Sequence, residues 1–265
     1  MTIPNRHLDM GLRYLRYYLN AVNLHGLQAP FAYGLYKAVL NRDRKEKMFS
    51  PIEGLRNRLL RDNRTISIQD FGAGFSGRTF RERSIGYITR NSSKPPRYAR
   101  MLHRLVSHLQ PGLMLELGTS VGISALYQAM GNTKGKLITA EGCPETAKLA
   151  RHNFSEFPNL HIQLVEGPFD TVLPEILKNN PRIDYLYLDG HHQLEPTLRY
   201  VELCKPCLSE NAVVVVDDIN WSEEMRTTWE RLKTDPFFTL SIDVFMMGLL
   251  FVSKDLSKED FICRY

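Results

Sequence analysis

From residue 113 onward the chain alternates short apolar runs with amphipathic stretches. The runs predict strands at 113–117, 136–141, 161–165, 184–189 and 212–217; the stretches predict helices near 122–131, 144–154, 170–178, 195–208 and 222–233. Each run is brief and rich in Leu or β-branched residues. That is the mark of a parallel sheet covered by helices on both faces. The tail differs, because Phe238 to Phe245 and Gly248 to Val252 are separated by only a few residues. So short a connection demands an antiparallel pair, since a parallel return needs a crossover of a dozen or so residues.

Upstream, residues 8–60 read as helical, with apolar residues at helical spacing in Leu8, Leu12, Leu15, Tyr18 and Leu19 and again in Ile52, Leu55, Leu59 and Leu60. Pro30 and Pro51 divide the region, and the aromatic stripe of Tyr14, Tyr17, Tyr18, Phe31, Tyr33 and Tyr36 is expected to pack on the main domain. Thr65 to Asp70 alternates like a strand and meets a glycine-rich turn, Asp70-Phe-Gly-Ala-Gly74. No second strand ending in an acid follows at the distance a nucleotide-binding unit requires, so the turn is read as structural, lying over the mouth of a site. Ser93 to Arg97 leads into a helix over Tyr98 to Leu109. Three parts are therefore expected: a helical extension at 1–64, a strand, turn and helix at 65–110, and a core at 111–265.

With 265 residues and 43% hydrophobic content, the chain can bury a substantial core. It holds no long uncharged apolar run and no secretory leader pattern, which predicts a cytoplasmic protein without a transmembrane segment. Cys143, Cys204, Cys207 and Cys263 make neither a disulfide framework nor a zinc set and are expected as core thiols. Charge is unevenly spread: residues 1–110 hold 20 Lys+Arg against 7 Asp+Glu, whereas the remainder holds 14 against 22. The basic residues are dispersed, as on a solvated face beside an acidic partner domain.

The chemistry centres on Met114 to Ser124, MLELGTSVGIS, which reads as strand, tight turn and helix. Such a turn exposes backbone N–H groups at a helix N-terminus and lets a ligand approach the main chain. Three site types share it. Gly118-Thr-Ser120-Val-Gly122 satisfies the nucleophile-elbow spacing of hydrolases, but no histidine follows Asp217 or Asp218, and the remaining order, Glu141 with His191, places the acid too early. A dinucleotide fingerprint needs a glycine where Ser120 stands. A ligand with an ammonium, a carboxylate and a ribose diol, S-adenosylmethionine, suits an acid in the first strand (Glu116), small residues at Gly118, Ser120 and Gly122, and an acid ending the next strand (Glu141).

At these residues the chain resembles class I S-adenosylmethionine-dependent methyltransferases, and more narrowly the O-methyltransferase-like group called methyltransferase family 24. The matching pieces are Ser92-Ser-Lys-Pro-Pro-Arg97, LELGTSVGIS, YLYLDGHH and VVVVDDINWSEEM. The resemblance implies an α/β Rossmann-like three-layer sandwich, with a mostly parallel seven-stranded sheet and an antiparallel C-terminal strand. It also implies that Glu116, Gly118 and Ser120 hold the methionine end, Glu141 the ribose, and the turn with Gly167 and Phe169 the adenine.

Asp189, Asp217 and Asp218 fall at the carboxyl ends of strands, where open α/β sheets place their ligands. Three converging carboxylates need a cation or an ammonium to neutralise them, which makes Mg²⁺ a natural guest; related O-methyltransferases use such a set for magnesium. The alternatives are that Asp217 caps the next helix and that Asp189 meets the cofactor's own ammonium. His191 and His192 follow in the same loop, where one of them can take the proton of an acceptor hydroxyl. Trp221 either walls the acceptor pocket or lies in a helix-sheet seam. The expected activity is methylation of a small-molecule hydroxyl. A nucleic-acid methyltransferase using the basic half and a non-catalytic cofactor-binding protein are the competing readings, and a homodimer is left open.

Overall fold

The computed structural model describes residues 6–41, 46–69 and 80–265. The Asp70 to Gly74 turn expected over the site lies outside the described residues. The N-terminal part comprises α1 (Arg6–Asn20), α2 (Pro30–Leu35) running on into a π-helical turn (Tyr36–Leu40), and α3 (Ser50–Leu60). An antiparallel pair, β1 (Thr65–Gln69) and β2 (Phe80–Ser84), then leads to α4 (Ile85–Ser92) and α5 (Pro96–Leu109). The alternation follows: β3 (Leu113–Leu117), α6 (Ile123–Gly131), β4 (Lys136–Glu141), α7 (Pro144–Ser155), β5 (Ile162–Glu166), α8 (Phe169–Asn179), β6 (Ile183–Leu188), α9 (Leu194–Cys204), β7 (Leu208–Asp217) and α10 (Glu223–Thr234). The chain closes with β8 (Leu240–Asp243), β9 (Met247–Phe251) and β10 (Glu259–Ile262).

These last eight strands form one mixed sheet in the order β10-β8-β9-β7-β6-β3-β4-β5. β9 runs antiparallel to both β7 and β8, while β10 pairs in parallel with β8. The expected count of seven strands is therefore one short. β10 reads EDFI, two acids and two apolar residues, and is held at the sheet edge by its backbone, so no hydrophobic pattern announces it. β2, reading FRERS, escaped notice for the same reason: an exposed, arginine-rich strand carries no buried face.

Period-two alternation sends successive side chains to opposite faces of the sheet. Along β7, Val213 and Val215 join the layer containing α2, α5 and α6, and Val214 and Val216 join the layer containing α8, α9 and α10. Burying each valine fully contributes roughly 1.5–3 kcal/mol, and this strand buries four in succession. The N-terminal helices take part in that core. Ala32, Leu35 and Val39 are wholly buried in one cluster with Met101, Leu105 and Tyr185.

The aromatic stripe divides. Tyr17 packs on Phe245 with ring centroids 5.2 Å apart and Phe31 meets Phe251 edge-on at 5.3 Å, whereas Tyr18 and Tyr33 remain exposed. None of the four cysteines forms a disulfide; Cys143, Cys204 and Cys263 are buried and Cys207 is half-buried. Among the described residues, no helix is long and apolar enough to cross a membrane.

Candidate cofactor and acceptor site

Because β3 to β7 run parallel, their carboxyl ends share one edge of the sheet. A cavity of about 590 Å³ opens there, a size suited to a ligand of cofactor dimensions. The loop after β3 forms its floor. Gly118 has φ +109°, and a Cβ at that position would stand 2.2 Å from the carbonyl oxygen of Asp189, so only glycine lets the β3 and β6 loops meet. The amides of Gly118 and Thr119 both donate to Ala140 O, at 3.0 and 3.2 Å, which ties the loop to β4.

Glu141, at the end of β4, is held from two sides. Its Oε2 accepts from the Ser120 amide at 2.8 Å and its Oε1 from the Cys143 amide at 2.9 Å. Burial raises its pKa, and these backbone bonds oppose the rise. Ser120 Oγ lies 2.5 Å from Ser92 Oγ, a direct link between the core loop and the end of α4.

Glu116 is placed differently. It is fully buried between β3 and α6, accepting from Ser124 Oγ at 2.7 Å, Gln128 Nε2 at 2.7 Å and Thr139 Oγ1 at 2.6 Å. Burial lifts its carboxyl to about 7 despite those donors. It does not line the cavity.

The other half of the cavity is charged. Asp189, Asp217 and Asp218 converge, and the cation among them is the Lys94 ammonium. Its Nζ contacts Asp217 Oδ2 closely, Asp189 Oδ1 at 3.0 Å and Asp218 Oδ2 at 3.9 Å. Lys94 is only 7% exposed. Burial opposes its charge, but Asp189 and Asp218 outweigh that and hold its pKa above the ordinary lysine value. For Asp189 burial acts in the opposite sense and raises the pKa, against the pull of Lys94 and His192. Three acids around one ammonium favour retained protons, so the two upward shifts are consistent.

The backbone explains how Lys94 arrives there. A residue before proline is kept out of the helical region, so Pro95 breaks the helix between α4 and α5 and extends the chain at Lys94. Arg56 Nη1 then donates to Lys94 O at 2.8 Å, fixing the segment from α3.

His192 and His191 separate in role. His192 Nε2 lies 3.6 Å from Asp189 Oδ1 and 3.9 Å from Asp218 Oδ2. His191 instead sits between the rings of Phe169 and Tyr200, at 5.6 and 5.7 Å. Four residues here hold left-handed backbone without being glycine: Ser120, His191, His192 and Asp218, with φ of 47°, 65°, 40° and 54°. Such conformations cost of order 1–3 kcal/mol each and cluster at functional sites.

Of the residues singled out in the sequence, Gly118, Ser120, Glu141, Phe169, Asp189, His191, His192 and Asp218 line the cavity. Glu116, Gly122, Gly167 and Asp217 do not; Asp217 lies behind the lining, wholly buried, and Gly122 turns the chain into α6 at φ +87°. Trp221 lines the cavity while 48% exposed, which settles it as a wall rather than a seam residue. Lys94 was missed as a site residue. It stands 95 positions upstream of Asp189, and its only local signal is the Lys-Pro-Pro step, which predicts a chain break and says nothing of its partners.

Residues 115–219 match the family model described as a methyltransferase domain. No curated protein sequence matches the chain. Among solved structures, the fold is similar to an O-methyltransferase from Bacillus cereus in complex with SAH, with 16% identity, a TM-score of 0.57, and coverage of 82% of this chain and 96% of that one. A SAH-bound methyltransferase from Podospora anserina aligns with 17% identity and a TM-score of 0.59, covering 85% and 94%. The SAM-bound O-methyltransferase of tomaymycin synthesis from Streptomyces achromogenes aligns with 20% identity and a TM-score of 0.55, covering 62% and 82%. The chain therefore has the class I S-adenosylmethionine-dependent methyltransferase fold.

Proposed function

We propose that this chain transfers a methyl group from S-adenosylmethionine to a hydroxyl of a small molecule. One observation carries the reading: a single cavity joins a carboxylate pinned by backbone amides, Glu141, to an acid cluster served by His192. The matched methyltransferase domain supports it.

The cavity fits the cofactor. Glu141 keeps lone pairs for a ribose diol, Phe169 and Ile68 supply apolar walls for the adenine, and Gly118 and Ser120 line the cavity where the methionine end would lie. When bound, the cofactor supplies a sulfonium whose methyl group is electrophilic. Everything else falls to the protein. His192 Nε2 takes the acceptor's proton, and Asp189 Oδ1, 3.6 Å from that nitrogen, stabilises the imidazolium that results. Trp221 and Met246 line the acceptor side, and much of the rate comes from positioning the two reactants against each other.

Magnesium assistance does not follow from this arrangement. Asp189, His192 and Asp217 offer ligand atoms within 4.8 Å of one another, yet the Lys94 ammonium already lies against the carboxylates, and a divalent ion beside it would be repelled.

Isothermal titration with S-adenosylmethionine tests the core of the reading, and transfer of a labelled methyl group to a panel of hydroxylated compounds tests the rest. Binding at micromolar to millimolar concentration is expected; its absence sinks the proposal.

A further inference from the structure

The acid cluster poses a charge problem that β6 and β7 cannot solve by themselves. Asp189, Asp217 and Asp218 are brought together by the parallel pairing of those strands, and Asp217 is wholly buried. Its Oδ2 takes the Lys94 ammonium, while its Oδ1 finds no hydrogen-bond partner among the described residues. Left unneutralised, such a group of carboxylates would either take up protons or bind a cation from solution.

We infer that Lys94 is the resident cation of this site, its ammonium holding the place among Asp189, Asp217 and Asp218 that a divalent metal would otherwise take. The inference that this serves methyl transfer rests on the function proposed above; the placement of the charge does not. The cation comes from outside the sheet, on the segment between α4 and α5 that Pro95 extends and Arg56 anchors. An ammonium has three N–H donors. One meets Asp217, one meets Asp189 at 3.0 Å, and Asp218 at 3.9 Å is too far for a hydrogen bond, which leaves the third donor for an acceptor oxygen at the cavity wall.

Lys94 then acts on the reacting oxygen directly. As the new carbon–oxygen bond forms, the methyl–sulfur bond breaks with its electron pair retained by sulfur, and the hydroxyl proton passes to His192 Nε2. The ammonium stabilises the negative charge that the oxygen takes on as its proton leaves and that the new bond then removes, the service a bound metal gives elsewhere. Lys94 thereby becomes a catalytic residue, and the reaction needs no metal.

The test compares Mn²⁺ binding, read by electron paramagnetic resonance, in the full-length wild type, Lys94→Met and Lys94→Arg, with S-adenosylmethionine titrated into each. Wild type and Lys94→Arg should leave Mn²⁺ free at millimolar concentration. Lys94→Met should bind one ion at least about tenfold more tightly, a difference of about 1.4 kcal/mol. Stoichiometric Mn²⁺ binding by the wild type overturns the inference, as does a folded Lys94→Met that gains none. Should Lys94→Met fail to fold, the wild-type measurement decides alone. A wild type that binds neither Mn²⁺ nor S-adenosylmethionine refutes the proposed function and leaves the resident-cation assignment standing.

Discussion

The two halves of the cavity are built on different principles. The cofactor half uses neighbours in sequence and in the sheet: the β3 loop, the Glu141 carboxylate and the amides that hold it all lie within residues 118–143. Its groups are satisfied by backbone and hydroxyl donors, and its geometry depends on what glycine permits. The acceptor half gathers like charges from β6 and β7 and takes the ammonium that lies against them from a lysine that arrives from between α4 and α5. A site can thus be half local and half assembled. The local half should fail by steric misfit and the assembled half by charge.

Substitutions can separate the halves. The largest effect is expected from Gly118→Ala, since its Cβ would collide with the main chain of Asp189 and couple the two halves. A loss on the order of 4 kcal/mol, seen as a depressed Tm and abolished cofactor binding, is expected. A variant as stable as wild type would show that the loops are not locked together there.

Next in size is a crossed pair. His192→Ala should lower kcat by on the order of 10²-fold, the lower end of general-base contributions, with cofactor affinity unchanged. Glu141→Ala should weaken S-adenosylmethionine binding by roughly tenfold to a hundredfold, about 1.5–3 kcal/mol for hydrogen bonds to a charged group, while sparing turnover at saturation. Parallel losses in both parameters for both variants would erase the distinction.

The smallest effect on turnover and cofactor binding concerns Glu116, beneath the cofactor half. Its carboxyl rises in the folded protein from the ordinary 4.5 to about 7. A raised pKa means that the folded state binds the extra proton, so this contribution is fully present below about pH 4.5 and is lost as pH climbs through about 7. The loss amounts to on the order of 3 kcal/mol at most. Glu116→Gln can keep the bonds from Ser124 and Gln128 and should flatten the decline in stability across that window, measured by urea denaturation at several pH values. An unchanged slope would mean that Glu116 is not the group titrating.

What was legible followed the reach of each signal. The strands β3 to β9 could be read because each is short and apolar and is set off from its neighbours by helical spacing or a tight turn, and a buried strand advertises itself that way. The edge strands β2 and β10 could not, since their pairing is carried by backbone atoms common to all residues. At the site, Glu141, Asp189 and Asp218 were legible as acids at strand ends. The choice between His191 and His192 was not. Adjacent residues share every local signal, and only the packing of His191 between Phe169 and Tyr200 separates them.

The sequence by itself determined the alternating core, the glycine-dependent loop after β3 and the gathering of acids along one sheet edge, because each depends on residues a few positions apart or on the regular period of an element. Only the tertiary structure decided that Glu116 turns away from the cavity and that Lys94 enters it. Both outcomes depend on which side chains meet across the sheet and from distant helices: the donors of α6 and β4 claim Glu116, and the break at Pro95 with the Arg56 anchor delivers Lys94 to the acids. Charge and burial are set by neighbours in space, and the spacing of residues along the chain carries no record of them.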